Sequence, residues 1–135
     1  AALEFEGHQY FRQVLLLSIL SQRNIIIKDI RPDEENPGLR GFEMSLLGLV
    51  QKVTNGCEIN INKSGTRLIF SPGQIDCNEG LPIQHSCDLS RSIPYYLEIV
   101  VILSIYGKNN LNLSLEGNTD DVRDQTVESL RSFYQ

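Results

Sequence analysis

The sequence predicts an α/β protein of repeated β-α-β-α-β-β units, with helices packed on mixed sheets and the second unit incomplete. Three observations point there. Short β-branched or alternating runs recur between longer stretches of helical spacing. Strand–helix–strand passages call for parallel neighbours, since the crossover returns the chain to the same end of a sheet. One pair of alternating runs joined by Lys63-Ser64-Gly65 reads as a hairpin, which adds antiparallel pairing.

The elements follow in order. Leu3 to Glu6 is a short extended lead, set off by Gly7 from a helix over about His8 to Ser21. There Phe11, Val14, Leu15, Ile19 and Leu20 recur at helical spacing, and Leu16 and Leu17 widen the stripe, so Leu16 and Leu20 are expected in the core. Asn24 to Ile30 is a β-branched run short enough for a buried strand. Pro32 and Pro37 bar a helix from the polar loop Arg31 to Gly38. Leu39 to Thr54 forms a second helix, with Phe42, Leu46, Leu49, Val50 and Val53 on one face and Asn55-Gly56 as its left-handed cap. The hairpin pairs Cys57 to Asn62 with Thr66 to Ser71, and Pro72-Gly73 ends it.

The order then restarts. Leu81 to Cys87 reads as a strand. Ile93 to Tyr106 is a strongly apolar helix with Pro94 in its first turn. Leu111, Leu113 and Leu115 alternate as a strand, and Val122 to Tyr134 is patterned as a helix. Residues 1–73 thus make a first unit and 74–135 a second one, truncated before its hairpin. A complete domain seldom stops on an unfinished unit, so the chain is expected to be part of something longer.

Composition narrows the function. The 135 residues suffice for one ordinary domain with a core. A net charge of −5 disfavours non-specific nucleic-acid binding, which needs a basic face. No apolar stretch approaches the ~20 residues of a membrane span. Ala1 to Phe5 lacks a basic head and an apolar segment, so no secretory signal is expected. Three cysteines without Cys-x-x-Cys spacing suggest reduced thiols rather than a disulfide framework or zinc knuckle.

Chemical constellations are few. There is no phosphate-cradling glycine loop, no His-Glu-x-x-His and no Gly-x-Ser-x-Gly. His85 and Cys87 share one side of a strand with nothing in sequence to orient them. Asp29, Asp33, Glu34 and Glu35 match no calcium loop and read as a solvated loop. No catalytic residue, metal site or cofactor is assigned. Arg12, Arg31 and Arg40 lie at element ends. They are either a shared anion or RNA surface, or ordinary solvent-exposed arginines.

Five segments carry a resemblance: Phe5 to Gln13, Ile30 to Glu43, Thr54 to Ile59, Gly65 to Gly73, and Ile93 to Glu98. Together they resemble the RNA 3′-terminal phosphate cyclase superfamily, and most closely its cyclase-like branch. The resemblance runs along essentially the whole chain and corresponds to roughly the family's N-terminal third. It implies that both units belong to one larger cyclase-like domain. It also implies where this chain departs from the enzymes. Gln9 and Arg12 match the family's Gln-x-x-Arg, but Phe5 stands at the active-site Glu position. Glu34 and Asn36 stand where the enzymes carry a phosphate-site Arg and a Lys, and Phe42-Glu43 replaces their Gln-His. A phenyl ring holds no metal and handles no proton. Replacing Arg by Glu beside a phosphate forfeits an attraction of about 4 kcal/mol at ~4 Å and an effective dielectric of ~20. The enzymes' adenylylated histidine lies near the family's C-terminus, outside these residues.

By resemblance, the expected role is non-enzymatic: assembly of the small ribosomal subunit in the nucleolus, with processing of pre-ribosomal RNA toward 18S rRNA. The expected partners are a ribosome-assembly GTPase and pre-rRNA, with no membrane. The alternatives are an authentic RNA 3′-phosphate cyclase, forming 2′,3′-cyclic ends with ATP, and an α/β segment with a structural role alone.

Overall fold

A computed structural model describes residues 2–107 and 109–117. The order is β1 (Leu3–Glu6), α1 (Phe11–Ser21), β2 (Ile25–Lys28), α2 (Gly41–Val53), β3 (Thr54–Asn55), β4 (Glu58–Ile61), β5 (Leu68–Ser71) and β6 (Gln74–Ile75). A 3-10 turn (Cys77–Gly80), β7 (Ile83–Ser86), α3 (Ile93–Tyr106) and β8 (Leu113–Glu116) follow. The α/β class and mixed sheets agree with the sequence patterns; the helix expected over Val122 to Tyr134 lies outside the described residues. Among those residues, no helix is long and apolar enough to cross a membrane.

Contacts divide the chain into two compact units that are not contiguous in sequence. Among the described residues, the first holds 2–40 and 56–74, the second 41–55, 75–107 and 109–117. Element order suggests a division near residue 73, whereas compactness assigns α2 to the second unit.

The first unit is built on a four-stranded sheet of order β1-β2-β5-β4. β1 and β2 run parallel, Leu3 opposite Ile25 and Glu6 opposite Lys28, with α1 as the crossover. β5 lies antiparallel between β2 and β4, setting Ile25 beside Phe70 and Ile27 beside Leu68. These four residues are fully buried, while Ile69 on the opposite face is exposed. That asymmetry fixes the register, because a one-residue slip would turn the whole apolar set outward.

α1 buries Phe11, Val14, Leu15, Ser18 and Ile19, and ends at Gln22 in a left-handed conformation. Two expectations are corrected here. The helix begins at Phe11 rather than His8, and its buried face is narrower than the run of leucines implied. Leu16 is only half-buried, and Leu17 and Leu20 are 46% and 40% exposed. Ser18 lies in the buried face instead. Its hydroxyl donates to the Arg23 carbonyl at 2.6 Å, which satisfies a buried polar group without water.

The second unit pairs β7 and β8 in parallel, Ile83 opposite Leu113 and His85 opposite Leu115, with α3 as the crossover. α3 buries Ile93, Tyr96, Leu97, Ile99, Val100 and Leu103. α2 buries Leu46, Leu47, Leu49, Val50 and Val53, together with Glu43 in its first turn, the end of the helix dipole that favours an acid. The helix stops at Val53, and Thr54 and Asn55 turn into β3 before the left-handed Gly56. The cap predicted at Asn55-Gly56 therefore ends a short strand rather than the helix.

Candidate functional site

In the first unit the candidate residues gather in the loop after β2. Gly38 fixes its course. At φ +91° it lies so close to the hairpin turn that a Cβ would come within 2.3 Å of the Ser64 carbonyl oxygen. The Ile30 amide donates to Thr66 at 3.0 Å, and the Leu39 amide to Gly65 at 2.9 Å, so the loop is stitched to the hairpin at both ends. Arg31 Nη1 donates to the Gly38 carbonyl at 3.2 Å, and its side chain is only 8% exposed. Arg40 donates to the Asn36 carbonyl. One oxygen of Glu34 lies 3.3 Å from Arg40 Nη2 and 3.7 Å from Arg31 Nε.

Two of the three singled-out arginines thus converge, and Glu34 is the group between them. Glu34, at the position where the resemblance leads one to expect an arginine, therefore pairs with both. Arg12 is half-buried in the first turn of α1. Phe5 is half-buried in β1 opposite Ile27.

The second unit holds a polar network that the sequence did not reveal. His85 is buried at 8% exposure. Lys52 Nζ lies 3.0 Å from His85 Nδ1 and donates to the Gln84 carbonyl at 2.9 Å. His85 Nε2 lies 3.0 Å from Ser45 Oγ, which accepts the Asp88 amide at 3.2 Å. The Tyr96 hydroxyl donates to the Asp88 carbonyl at 3.0 Å. Contrary to the expectation that nothing orients His85, both ring nitrogens are held. The available signal was the spacing of Ser45 and Lys52, two helical turns apart on one face of α2.

The order of partners decides the chemistry. An ammonium can only donate, so Nδ1 accepts and the ring proton sits on Nε2, aimed at Ser45. A nucleophilic triad needs the reverse, with a carboxylate at Nδ1 and an open lone pair at Nε2. Ser45 is therefore not activated by His85. Burial, then the charge of Lys52, holds the His85 pKa below its ordinary value, partly offset by the Ser45 backbone carbonyl. Burial pushes the Cys87 thiol up to about 11, so it stays protonated and weakly nucleophilic.

A cavity of about 540 Å³ opens beside this network, lined by Lys52, Gln84, His85, Ser86, Ser114 and Glu116. A second, of about 350 Å³, shares Lys52 and Gln84 and adds Asn55, Asp76 and Asn78. Both are polar. Among the described residues, no group of three or more His, Cys, Asp or Glu side chains is placed to hold a metal ion.

Comparison with known proteins places this architecture. A family model described as RNA 3′-terminal phosphate cyclase matches residues 3–135. The chain is 48% identical over 129 residues to a probable RNA 3′-terminal phosphate cyclase-like protein of Arabidopsis thaliana, covering 96% of the chain and 34% of that protein. It is 40% identical over 131 residues to the human RNA 3′-terminal phosphate cyclase-like protein, covering 97% of the chain and 34% of the relative. An rRNA processing protein of Schizosaccharomyces pombe is 37% identical over 128 residues, at 95% and 34% coverage. The chain spans about a third of the length of these relatives.

Proposed function

The chain belongs to the RNA 3′-terminal phosphate cyclase family, and from that premise we propose that it is part of a non-catalytic cyclase-like protein acting in ribosome biogenesis. The two units then form part of one larger cyclase-like domain that serves processing of pre-18S rRNA within the small-subunit precursor particle. Its place is the nucleus and nucleolus, and its partners are pre-rRNA and a ribosome-assembly GTPase. Arg12, Arg31 and Arg40 are its candidate contacts to RNA or to that partner.

The observation that carries this reading is the likeness, 37% over 128 residues, to a relative that bears an rRNA-processing name. Local chemistry supports the absence of cyclase activity. Phe5 offers no acid–base function, and Glu34 fills the space between two arginines where a substrate phosphate would need them open.

The second reading, an authentic cyclase, is favoured by the matching family's being named for that activity and by Gln9 and Arg12, which fit the family's Gln-x-x-Arg. One assay separates the two. Full-length protein is incubated with ATP and an RNA ending in a 3′-phosphate. The expected result is no 2′,3′-cyclic end and no protein-bound AMP; covalent adenylylation would establish the cyclase. Depleting the protein from cells is expected to raise unprocessed 18S precursors, and unchanged precursor levels would refute the biogenesis role.

A further inference from the structure

We propose that Arg91, backed by Phe42 and Tyr95, is a stacking platform for an unpaired RNA base. The proposal rests on the reading that the protein works on pre-rRNA, and it names a contact that reading leaves open. Arg91 Cζ lies 4.3 Å from the centroid of the Phe42 ring and 5.8 Å from that of Tyr95. Phe42 and Tyr95 meet edge to face with centroids 5.5 Å apart, and Tyr95 meets Tyr96 the same way at 5.1 Å. Tyr96 is buried, Phe42 and Tyr95 are half-buried, and Arg91 is exposed. The cluster runs from a ring fixed in the core to a cation at the surface.

The support beneath it is rigid. The Asp88 carbonyl accepts both the Tyr96 hydroxyl at 3.0 Å and the Arg91 amide at 3.5 Å. The Asp88 carboxylate takes the Ser90 amide at 2.9 Å and the Ser90 hydroxyl. It also lies against the start of α2, where a Cβ on Gly41 would come within 2.3 Å of Asp88 Oδ2. The turn carrying Arg91 and the helix start carrying Phe42 are therefore locked together.

A guanidinium lying over an aromatic ring is oriented before any ligand arrives, so little side-chain entropy remains to be lost on binding. Its outer side can take the π-face of a base, a sequence-tolerant contact typical of single-stranded RNA recognition. Asp88, three residues away in the same turn, opposes a phosphate there but not a neutral base. Stacking also suits a chain whose net charge of −5 gives little general attraction to RNA.

The test uses the full-length protein and two fluorescent probes: a short single-stranded oligoadenylate, and the same backbone with abasic residues at its centre. Arg91→Ala is expected to weaken oligoadenylate binding about fivefold or more, the scale of losing one stacked base. Arg91→Lys is expected to weaken it nearly as much, because an ammonium keeps the charge and lacks the plane. The abasic probe is expected to bind all three proteins alike. Wild-type affinity in Arg91→Lys would show that charge, not stacking, is read, and would overturn the platform. So would an Arg91→Ala protein that keeps the oligoadenylate but loses the assembly GTPase, which would make this a protein contact. Crosslinking to pre-rRNA in cells separates this proposal from its premise. Undiminished crosslinking of Arg91→Ala refutes the platform alone, whereas a wild type that crosslinks to no pre-rRNA refutes the parent reading as well.

Discussion

His85 shows how a single neighbour sets the role of a titratable group. Its ring accepts from Lys52 and donates to Ser45, so protonation would bring two cations 3.0 Å apart in a part-buried site. The folded state holds the His85 pKa below its ordinary value of 6.5. An unfolded chain therefore binds the proton first as pH falls. The neutral network contributes its full stability above about pH 6.5, and that contribution declines as pH drops toward the depressed folded value. Denaturant titrations at pH 7.5 and pH 5 are expected to show this loss in the wild type and a smaller one in His85→Gln. An equal loss in both would place the sensitivity elsewhere. Lys52→Met tests the cause. Burial is the larger influence on His85 and remains, so the imidazole titration seen by NMR is expected to move upward without fully regaining the free value. No movement would mean that Lys52 does not act on the ring.

At the scale of elements, burial decides which leucines matter in α1. Leu15 has no exposed surface, whereas Leu20 is 40% exposed. Leu15→Ala is expected to cost about 2–5 kcal/mol, a core deletion with its cavity, and Leu20→Ala less than about 1 kcal/mol. Urea unfolding of both variants checks this, and equal losses would contradict the assigned face. The same helix shows where sequence reasoning stopped. Its existence was legible from Phe11, Val14, Leu15 and Ile19, but an unbroken run of Val14 to Leu17 satisfies several helical faces at once. Only Ser18, inside the buried face and bonded to Arg23, reveals the true one. β4 and β5 were legible because alternation with a glycine turn leaves one register. The arginine loop was legible as residues but not as a cluster, because the convergence on Glu34 depends on a fold-back set by Gly38 and the Ser64-Gly65 turn. The His85 network joins α2 to β7, a pairing that no local pattern announces.

At the scale of the whole molecule, charge distribution predicts how strongly the proposed RNA contact depends on salt. The chain carries 12 Lys and Arg against 17 Asp and Glu. Of the three arginines placed at element ends, Arg31 and Arg40 already share the carboxylate of Glu34, which attenuates what they offer a phosphate. Each phosphate neutralised on a single strand adds about −0.7 to the slope of log K against log salt. Three arginines would give about −2 at the steepest, so generic single-stranded RNA is expected to bind weakly at physiological salt with a slope no steeper than that. On the proposed reading, recruitment then falls to a protein partner, whose interface draws on apolar and mixed-polar surface rather than counterion release. The full-length protein with Arg12, Arg31 and Arg40 all changed to Ala is accordingly expected to retain the assembly GTPase in a pull-down and to lose RNA affinity only modestly. Tight binding of random RNA with a steep salt slope, abolished in the triple variant, would reverse this division between protein and RNA contacts.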